Sequence, residues 1–305
     1  MLLTLVTLAG LSLAQQTDTT IAVQPGARLS VTNFGGEIVV QSWAENRVRI
    51  RASHSSRTRV EISTGMQTVS VRTEGRRGPP QLTDMEITVP RTMPLNLNGT
   101  YTHITIEGVD ATVAAETVEG DVSLVGGSGA VTLKSIEGGV TVRGAKGRVD
   151  VSSVEGDIRI TETTAEIVAE TIDGDIVMQG VNTSAVDAST VDGDIFYDGT
   201  TKDGGRYSFA SHDGDLTVAV PEGANLTVVV STFEGELDTS FPVPFTETKG
   251  RRFTFTIGKG TGRLELETFD GDIRLRRPGQ VRLEEHEGNR HNKPEHDGCC
   301  GGEGR

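Results

Sequence analysis

A five-residue pattern recurs along this chain of 305 residues and constrains its fold more than any other feature. The pattern is apolar, acidic, Gly, acidic, apolar, as in VEGDI at 154–158 and IDGDI at 172–176. Its central glycines are 18 residues apart in the middle of the chain and 19 to 21 apart in the copies that follow. A period of about twenty residues is typical of a stacked repeat array. The glycines are Gly36, Gly120, Gly138, Gly156, Gly174, Gly193, Gly214, Gly235 and Gly271.

Apolar residues alternate with polar ones on both sides of each glycine, which is the period-two pattern of a β-strand. Val, Ile and Thr fill these segments, and no helical stripe is present. Residues 18 positions away in the neighbouring copies are apolar as well, so we predict five core columns. In the copy around Gly156 the five positions are Val149, Val151, Val154, Ile158 and Ile160.

Two all-β architectures fit this pattern. In a meander of hairpins, each Asp-Gly pair is a tight turn between antiparallel strands. In a β-solenoid, each copy is one coil, and equivalent strands pair in parallel with the next coil at ~4.8 Å. Stacking explains why whole columns are constant, so we predict a β-solenoid with coils of 18–21 residues. The six-residue pattern of left-handed coils is absent, which favours a right-handed, parallel β-helix-like coil.

The chain divides into four predicted segments. Residues 1–14 are a signal peptide, and 15–90 hold an opening coil followed by short strands. The solenoid array covers 91–276, with its spacing interrupted at 238–263 before a last coil. Residues 277–305 are rich in charge, Gly and His, and we expect a disordered tail there because such a composition buries little apolar surface.

The first residues of the chain indicate its cellular compartment, and its net charge limits the class of its partners. Residues 2–14 form an uncharged apolar run of signal-peptide length, with small residues placed for cleavage after Ala14. We therefore expect a secreted, periplasmic or cell-surface protein. No other stretch is apolar enough for a transmembrane helix. A formal net charge of -14 argues against nucleic-acid binding, which needs a basic surface.

The repeat resembles a bacterial putative-adhesin family of exported β-strand-repeat proteins, a domain whose function is not established. The matching residues are the GDI-type copies, the opening unit RLSVTNFGGEIVVQSWAENRVRI at 28–50 and DMEITVP at 84–90. The resemblance covers about 27 to 276 and leaves the tail outside. It implies an exported repeat scaffold with no known catalytic set.

The acidic residues beside each glycine are the sharpest candidate site. Stacked coils would align them as ladders of like charge at ~4.8 Å, which a hard divalent cation could bridge. The other interpretation is turn chemistry, in which Gly takes a positive φ while the acids solvate the corner or accept local N–H groups. The second interpretation is favoured, and we predict no cofactor. The candidate ladder consists of Glu155, Asp157, Asp173, Asp175, Asp192 and Asp194.

The tail carries a second candidate site. Both cysteines of the chain and half of its six histidines lie there. These residues could bind a metal or form an intermolecular disulfide, or they could be a solvated charged tail. The residues are His286, His291, His296, Cys299 and Cys300.

These observations favour an exported, non-catalytic surface or envelope protein that binds or adheres through its repeat scaffold. One alternative is a polysaccharide lyase or hydrolase, because parallel β-helices host both. The acids here are regular and interchangeable, whereas an acid–base pair needs unlike environments. Another alternative is a divalent-cation-binding structural protein. The expected partner is an envelope protein or a glycan, or a second copy through coil ends or tail cysteines.

Overall fold

The computed structural model describes residues 15–243 and 252–280, and every regular element in these ranges is a β-strand. No helical segment that could cross a bilayer occurs within these ranges. The predicted signal peptide, 1–14, lies outside the described residues, as do the five His and Cys positions of the tail.

The described strands are numbered in chain order. The first six are β1 (Gln15–Ala22), β2 (Arg28–Trp43), β3 (Arg47–His54), β4 (Thr58–Thr64), β5 (Thr68–Gly75) and β6 (Thr83–Pro90). The next thirteen are β7 (Leu95–Val109), β8 (Val113–Glu116), β9 (Val122–Gly126), β10 (Ser128–Lys134), β11 (Val140–Arg143), β12 (Lys146–Ser152), β13 (Ile158–Thr161), β14 (Thr164–Glu170), β15 (Ile176–Asn182), β16 (Ala185–Asp192), β17 (Ile195–Thr200), β18 (Arg206–Asp213) and β19 (Leu216–Ala219). The last five are β20 (Leu226–Thr232), β21 (Leu237–Thr239), β22 (Arg252–Ile257), β23 (Gly262–Asp270) and β24 (Ile273–Arg276).

From β8 onward, each coil of the array consists of two short strands that meet at a glycine corner. In the coil formed by β12 and β13, Val149 and Val151 on the first strand and Ile158 and Ile160 on the second are completely buried. Asp150 and Arg159, each in the middle of one of these pairs, face outward, as the alternation of a β-strand requires. The core is therefore a thin apolar layer enclosed by the two strands of every coil.

Equivalent strands of successive coils pair in parallel, as predicted for a solenoid-like stack. Strand β10 lies between β8 and β12, and Val131 is opposite both Val113 and Val149. Strand β11 is related to β9 and β13 in the same way. The hairpin meander is excluded for this part of the chain, because its strands would pair antiparallel with their neighbours in sequence.

At the N-terminal end, the order of coils in space differs from their order in the sequence. Strand β2 pairs along Leu29–Gln41 with β7, which follows it by more than fifty residues. On its other side, β2 pairs with β5 and β6, which together form one more coil. The opening coil is therefore the second layer of the stack, and it joins the predicted N-terminal segment and the array into one continuous sheet.

The C-terminal end shows the same arrangement. The last coil, β23 and β24, lies between the coil β18–β19 and the coil β20–β21. Our expectation that each coil stacks on the next one in sequence is therefore wrong at this end. Strand β23 forms parallel ladders on both of its edges, which no outermost strand can do.

Antiparallel strands flank the outermost coils. At the N-terminal end β4 pairs with β5, β3 pairs with β6, and β1 pairs with β3. At the other end β22 pairs with β20. Covering the end of a repeat stack in this way is a common means of limiting edge-to-edge association.

One of the five predicted core columns is not in the core. Val154 is 37% exposed and Ile172 is 52% exposed, whereas Ile158 is completely buried. The residue before Val154, Ser153, is buried in its place, because it continues the alternation set by Val149 and Val151. We call the exposed positions the outer apolar column, which consists of Val118, Ile136, Val154, Ile172, Val191, Phe269 and Phe233, with His212 between Val191 and Phe269.

Candidate functional site

The glycine corners bring successive coils into backbone contact. Gly156 has a φ of 159° and Gly174 a φ of 152°. A Cβ on Gly156 would overlap the carbonyl oxygen of Gly138 in the preceding coil. Gly235 has no positive φ, yet a Cβ there would overlap Gly271 in the same way. Close approach of two backbones is therefore the requirement that all these corners share.

A buried hydroxyl lies three residues before the corner glycines of the array. Ser135 donates a hydrogen bond to the carbonyl of Gly120, and Ser153 donates one to Gly138, each at 2.9 Å. The bond always crosses to the neighbouring coil, so it holds adjacent corners together. The pattern was visible in the sequence as a constant Ser or Thr, and our sequence reasoning missed it. The hydroxyl residues are Thr117, Ser135, Ser153, Thr171, Thr190, Ser211, Thr268 and Thr232.

The acids that follow the glycines bind backbone groups of the next coil. Asp157 Oδ1 accepts the N–H of Asp175 at 2.9 Å, and Asp175 Oδ1 accepts the N–H of Asp194 at 2.9 Å. Such charge-assisted bonds satisfy the carboxylates without a cation. We call this set the inner acidic column, and it consists of Asp121, Asp157, Asp175, Asp194, Asp215, Asp272 and Glu236.

The acids that precede the glycines are arranged differently. Backbone bridges place Glu155 opposite Asp173 and Asp173 opposite Asp192, so their side chains form a second row. The three side chains are exposed to solvent. We call this set the outer acidic column, and it consists of Glu119, Glu137, Glu155, Asp173, Asp192, Asp213, Asp270 and Glu234. The six residues of the candidate cation ladder thus fall into two separate rows with different partners.

Among the described residues, no group of three or more His, Cys, Asp or Glu side chains is arranged to hold a metal ion.

The outer apolar column ends in a run of stacked rings. His212 stacks on Phe269 with centroids 4.9 Å apart, and Phe269 stacks on Phe233 at the same distance. Phe233 is 64% exposed. The rings are adjacent only because the last coil lies between two earlier ones, so the sequence order alone does not predict the stack.

A polar cavity of about 430 Å3 lies at the N-terminal end, between β1 and β4. Its lining includes His54, Arg59 and Arg76, which do not repeat along any column. His54 Nδ1 is 3.0 Å from the carbonyl of Ser55, and its Nε2 is 3.1 Å from the Thr17 hydroxyl. Both ring nitrogens are therefore engaged, and the ring is held in one orientation.

Two buried tyrosines fill the core of the later coils. Burial raises the pKa of Tyr197 far above its usual range, and burial also raises the pKa of Tyr207. Tyr197 donates its hydroxyl to the carbonyl of Thr200 at 2.9 Å, and Tyr207 donates to Thr183 at 3.0 Å. The hydroxyls are therefore neutral and paired, and they serve packing.

A regular stack of two-stranded coils with constant columns along its surface defines a repeat scaffold. The family model for Toastrack DUF4097 matches residues 27–276. The chain therefore belongs to this family, in agreement with the resemblance of its repeats to putative adhesins. No curated protein matches the sequence.

Solved structures of three bacterial proteins are similar to this chain. A putative adhesin from Parabacteroides distasonis is 10% identical, with 87% of this chain and 98% of that one covered and a TM-score of 0.45. A putative adhesin from Parabacteroides merdae is 10% identical, with 86% and 96% covered and a TM-score of 0.43. A putative cell adhesion protein from Clostridium sporogenes is 12% identical, with 86% and 100% covered and a TM-score of 0.22. All three TM-scores are below 0.5.

Proposed function

We propose that this protein is an exported, non-catalytic scaffold of the cell surface or envelope that binds an extended partner. One observation carries the proposal. On the outer surface of the corners, apolar and acidic side chains repeat in straight columns over successive coils. A surface that repeats every ~4.8 Å suits a partner that is itself long and regular. An envelope protein or a glycan would have this property.

Catalysis by a lyase or hydrolase is less well supported. A catalytic pair needs two groups in unlike environments. Along the inner acidic column, Asp157 and Asp175 each accept one backbone N–H from the next coil, so the same contact recurs from coil to coil. The terminal cavity does hold unlike residues, but both ring nitrogens of His54 already have partners. These contacts favour binding over acid–base chemistry.

A cation-bridged scaffold is the remaining alternative. Asp157, Asp175 and Asp194 already receive backbone N–H groups. We therefore expect calcium to raise the thermal midpoint by less than about 2 °C, within the range of a surface charge effect. A large calcium-dependent rise that Asp157→Asn/Asp175→Asn removes would instead assign the protein to the metal-stabilised class.

The proposal also includes the hand and length of the coils and the two ends of the mature chain. Right-handed coils are proposed because parallel crossovers have that hand in about 98% of cases. Coils of 18–21 residues are proposed from the glycine spacing. Cleavage after Ala14 would start the mature chain at Gln15, and the tail residues His286 to Cys300 would lie at its other end.

The test combines export and capture. Expression with the native leader in a bacterial host should yield envelope or secreted protein whose N-terminal sequence begins at Gln15. The purified protein should then capture a partner from envelope extracts, with an unrelated β-protein of similar net charge as the control bait. It should release no unsaturated or shortened oligosaccharides from acidic polysaccharides. Cytoplasmic retention, or reproducible turnover of a polysaccharide, would contradict the proposal.

A further inference from the structure

The outer apolar column is the longest run of exposed apolar side chains in the described part of the protein. Ile136 is 46% exposed, Ile172 is 52% exposed and Val191 is 49% exposed, and their positions recur in successive coils. Eight coils at ~4.8 Å give a line about 34 Å long that includes His212. Contiguous exposed apolar surface of this kind marks a binding surface more often than single exposed residues do.

The outer acidic column runs directly beside it, since each acid follows its apolar neighbour in the chain. Glu119, Glu137, Glu155, Asp173 and Asp192 make no side-chain hydrogen bond or ion pair with any described residue. These carboxylates repel one another along the row, because they recur at the coil spacing and share no counter-charge. A partner that brings positive charge to this row would relieve the repulsion.

We propose that the two columns together bind a cationic amphipathic α-helix of a partner protein, lying parallel to the axis of the stack. The apolar side of the helix would cover the outer apolar column, and lysines or arginines on one flank would face the outer acidic column. This inference rests on the proposed binding function and names the surface and the chemistry of its partner.

The spacing of the coils selects a helix over other extended shapes. Helical turns repeat every 5.4 Å, which is closer to the ~4.8 Å between coils than the other two repeats are. The mismatch of about 0.6 Å per turn adds up to about 4 Å over the whole line, a distance that long, flexible basic side chains can span. A strand presents one side chain per ~6.7 Å on each face, and a polyproline helix repeats only every ~9.3 Å. About 22 helical residues would cover the 34 Å line.

A second copy of this chain fits the surface less well. A two-fold pairing through the outer apolar column would bring an acidic row from each copy into one interface. Like charges opposed in this way disfavour association. Self-association is therefore an outcome of the test and not the proposal.

The experiment uses the purified protein and a synthetic helix of about 22 residues. The probe has leucine at heptad positions a and d and lysine at e and g, which also opposes pairing of the peptide with itself. One control peptide has the same composition with the leucines scattered around the helix, and another has glutamate in place of lysine. Binding is measured by fluorescence anisotropy at low and moderate salt.

Two variants each change three neighbouring residues of one column, and each has a control with similar changes elsewhere. Ile136→Ser/Val154→Ser/Ile172→Ser is compared with Met66→Ser/Val125→Ser, which changes residues that are 97% and 43% exposed outside the column. Glu137→Gln/Glu155→Gln/Asp173→Asn is compared with Glu61→Gln/Glu74→Gln/Glu166→Gln, which removes the same charge. All of these positions are solvent-accessible, so the thermal midpoints should stay within a few degrees of the wild type.

We expect each column variant to weaken binding by about tenfold or more, and each control to stay within about twofold. The acidic variant should also reduce the salt dependence. Equal binding of the scattered-leucine peptide, or equal losses in the control variants, would overturn the proposal in favour of unspecific charge attraction. If the wild type is a dimer and the apolar variant is a monomer, the outer apolar column binds a second copy of this chain instead. Intact envelope capture by both column variants would overturn this assignment while leaving the proposed binding function in place.

Discussion

The middle of the stack and its two ends are built from the same repeat but assembled differently. From β8 to β19 each coil stacks on the coil that follows it in the sequence. At both ends a coil from one extreme of the repeat region, β2 or β23–β24, lies between two other coils that are consecutive in the sequence. Local sequence thus specifies a coil, whereas long-range strand pairing specifies which coils are its neighbours.

The largest expected effect comes from removing an inserted coil. Deleting residues 262–305 removes Leu264, Leu266, Ile273 and Leu275, each of which is at most 1% exposed. Burial of four such side chains contributes more than about 5 kcal/mol, and both neighbouring coils lose their partner. Hydrogen exchange should therefore show lost protection in β18 as well as in β20. Deleting only 281–305 is the control, and equal protection in both truncations would contradict the inserted position.

Introducing a charged side chain in the middle of the stack should destabilise the protein much more at a buried column than at the exposed one. Ile158→Asp places an unpaired carboxylate in the core and should cost about 4 kcal/mol or more. Val154→Asp, four residues earlier, should cost less than about 1 kcal/mol because that side chain is 37% exposed. Urea unfolding measures both. A similar loss for the two variants would show that the outer apolar column is part of the core.

The close approach at a corner can be tested with Gly156→Val. The new Cβ would overlap the Gly138 carbonyl, and valine is strained at a φ of 159°. We expect a loss of at least about 3 kcal/mol. Ser152→Ala, half-buried on the preceding strand, serves as the reference and should change stability by less than about 1 kcal/mol. Identical thermal midpoints would remove the argument.

The hydroxyl ladder should have a moderate effect in the middle of the stack. Ser153→Ala leaves the half-buried Gly138 carbonyl without its 2.9 Å hydrogen bond. The expected cost is about 1–2 kcal/mol, and Ser153→Thr should restore most of it because Thr occupies the same position in other coils. Failure of Thr to restore stability would point to packing rather than to the hydrogen bond.

The smallest effect is expected at the C-terminal end, in the pair Asp238 and Arg276. The hydrogen bond from Arg276 lowers the pKa of the Asp238 carboxyl. The pair therefore stabilises the fold above the unfolded pKa of about 3.9, and this contribution is lost as the pH falls through the lower folded value. Asp238→Asn should cost less than about 1 kcal/mol at pH 7. The difference from wild type should shrink as the pH falls below the unfolded pKa, and a difference that does not change with pH would exclude an ionic origin.

The sequence predicted much of the fold because stacking makes every coil repeat its neighbours. The strand segments, the corner glycines and four of the five apolar columns followed from period and alternation. Strand β1 was missed, because QQTDTTIA has little apolar alternation and is ordered by antiparallel pairing with β3. The outer apolar column was wrongly predicted to lie in the core, although the strand alternation already indicated that it is exposed. Val149, Val151 and Ser153 share one alternation, and Val154 is out of step with it.

The different roles of the two acids at each corner could not be predicted from the sequence. The acids on both sides of each glycine looked equivalent, yet Asp157 and Asp175 bind backbone of the next coil while Glu155 and Asp173 face solvent. This difference depends on the backbone conformation at the corner, which directs only one of the two carboxylates toward the next coil. No one-dimensional pattern contains that direction, because both acids adjoin the same glycine.

By itself, the sequence determined the repeating unit of this protein: a strand, a corner at which glycine allows two backbones to approach closely, and a second strand. It did so because the contacts within a coil are local and their residue requirements are strict. The order in which the end coils stack was decided only by the tertiary structure. Every coil presents nearly the same edge and the same columns, so the repeat allows many neighbours. Long-range pairing of β2 with β7 and of β23 with both β18 and β20 selects among them.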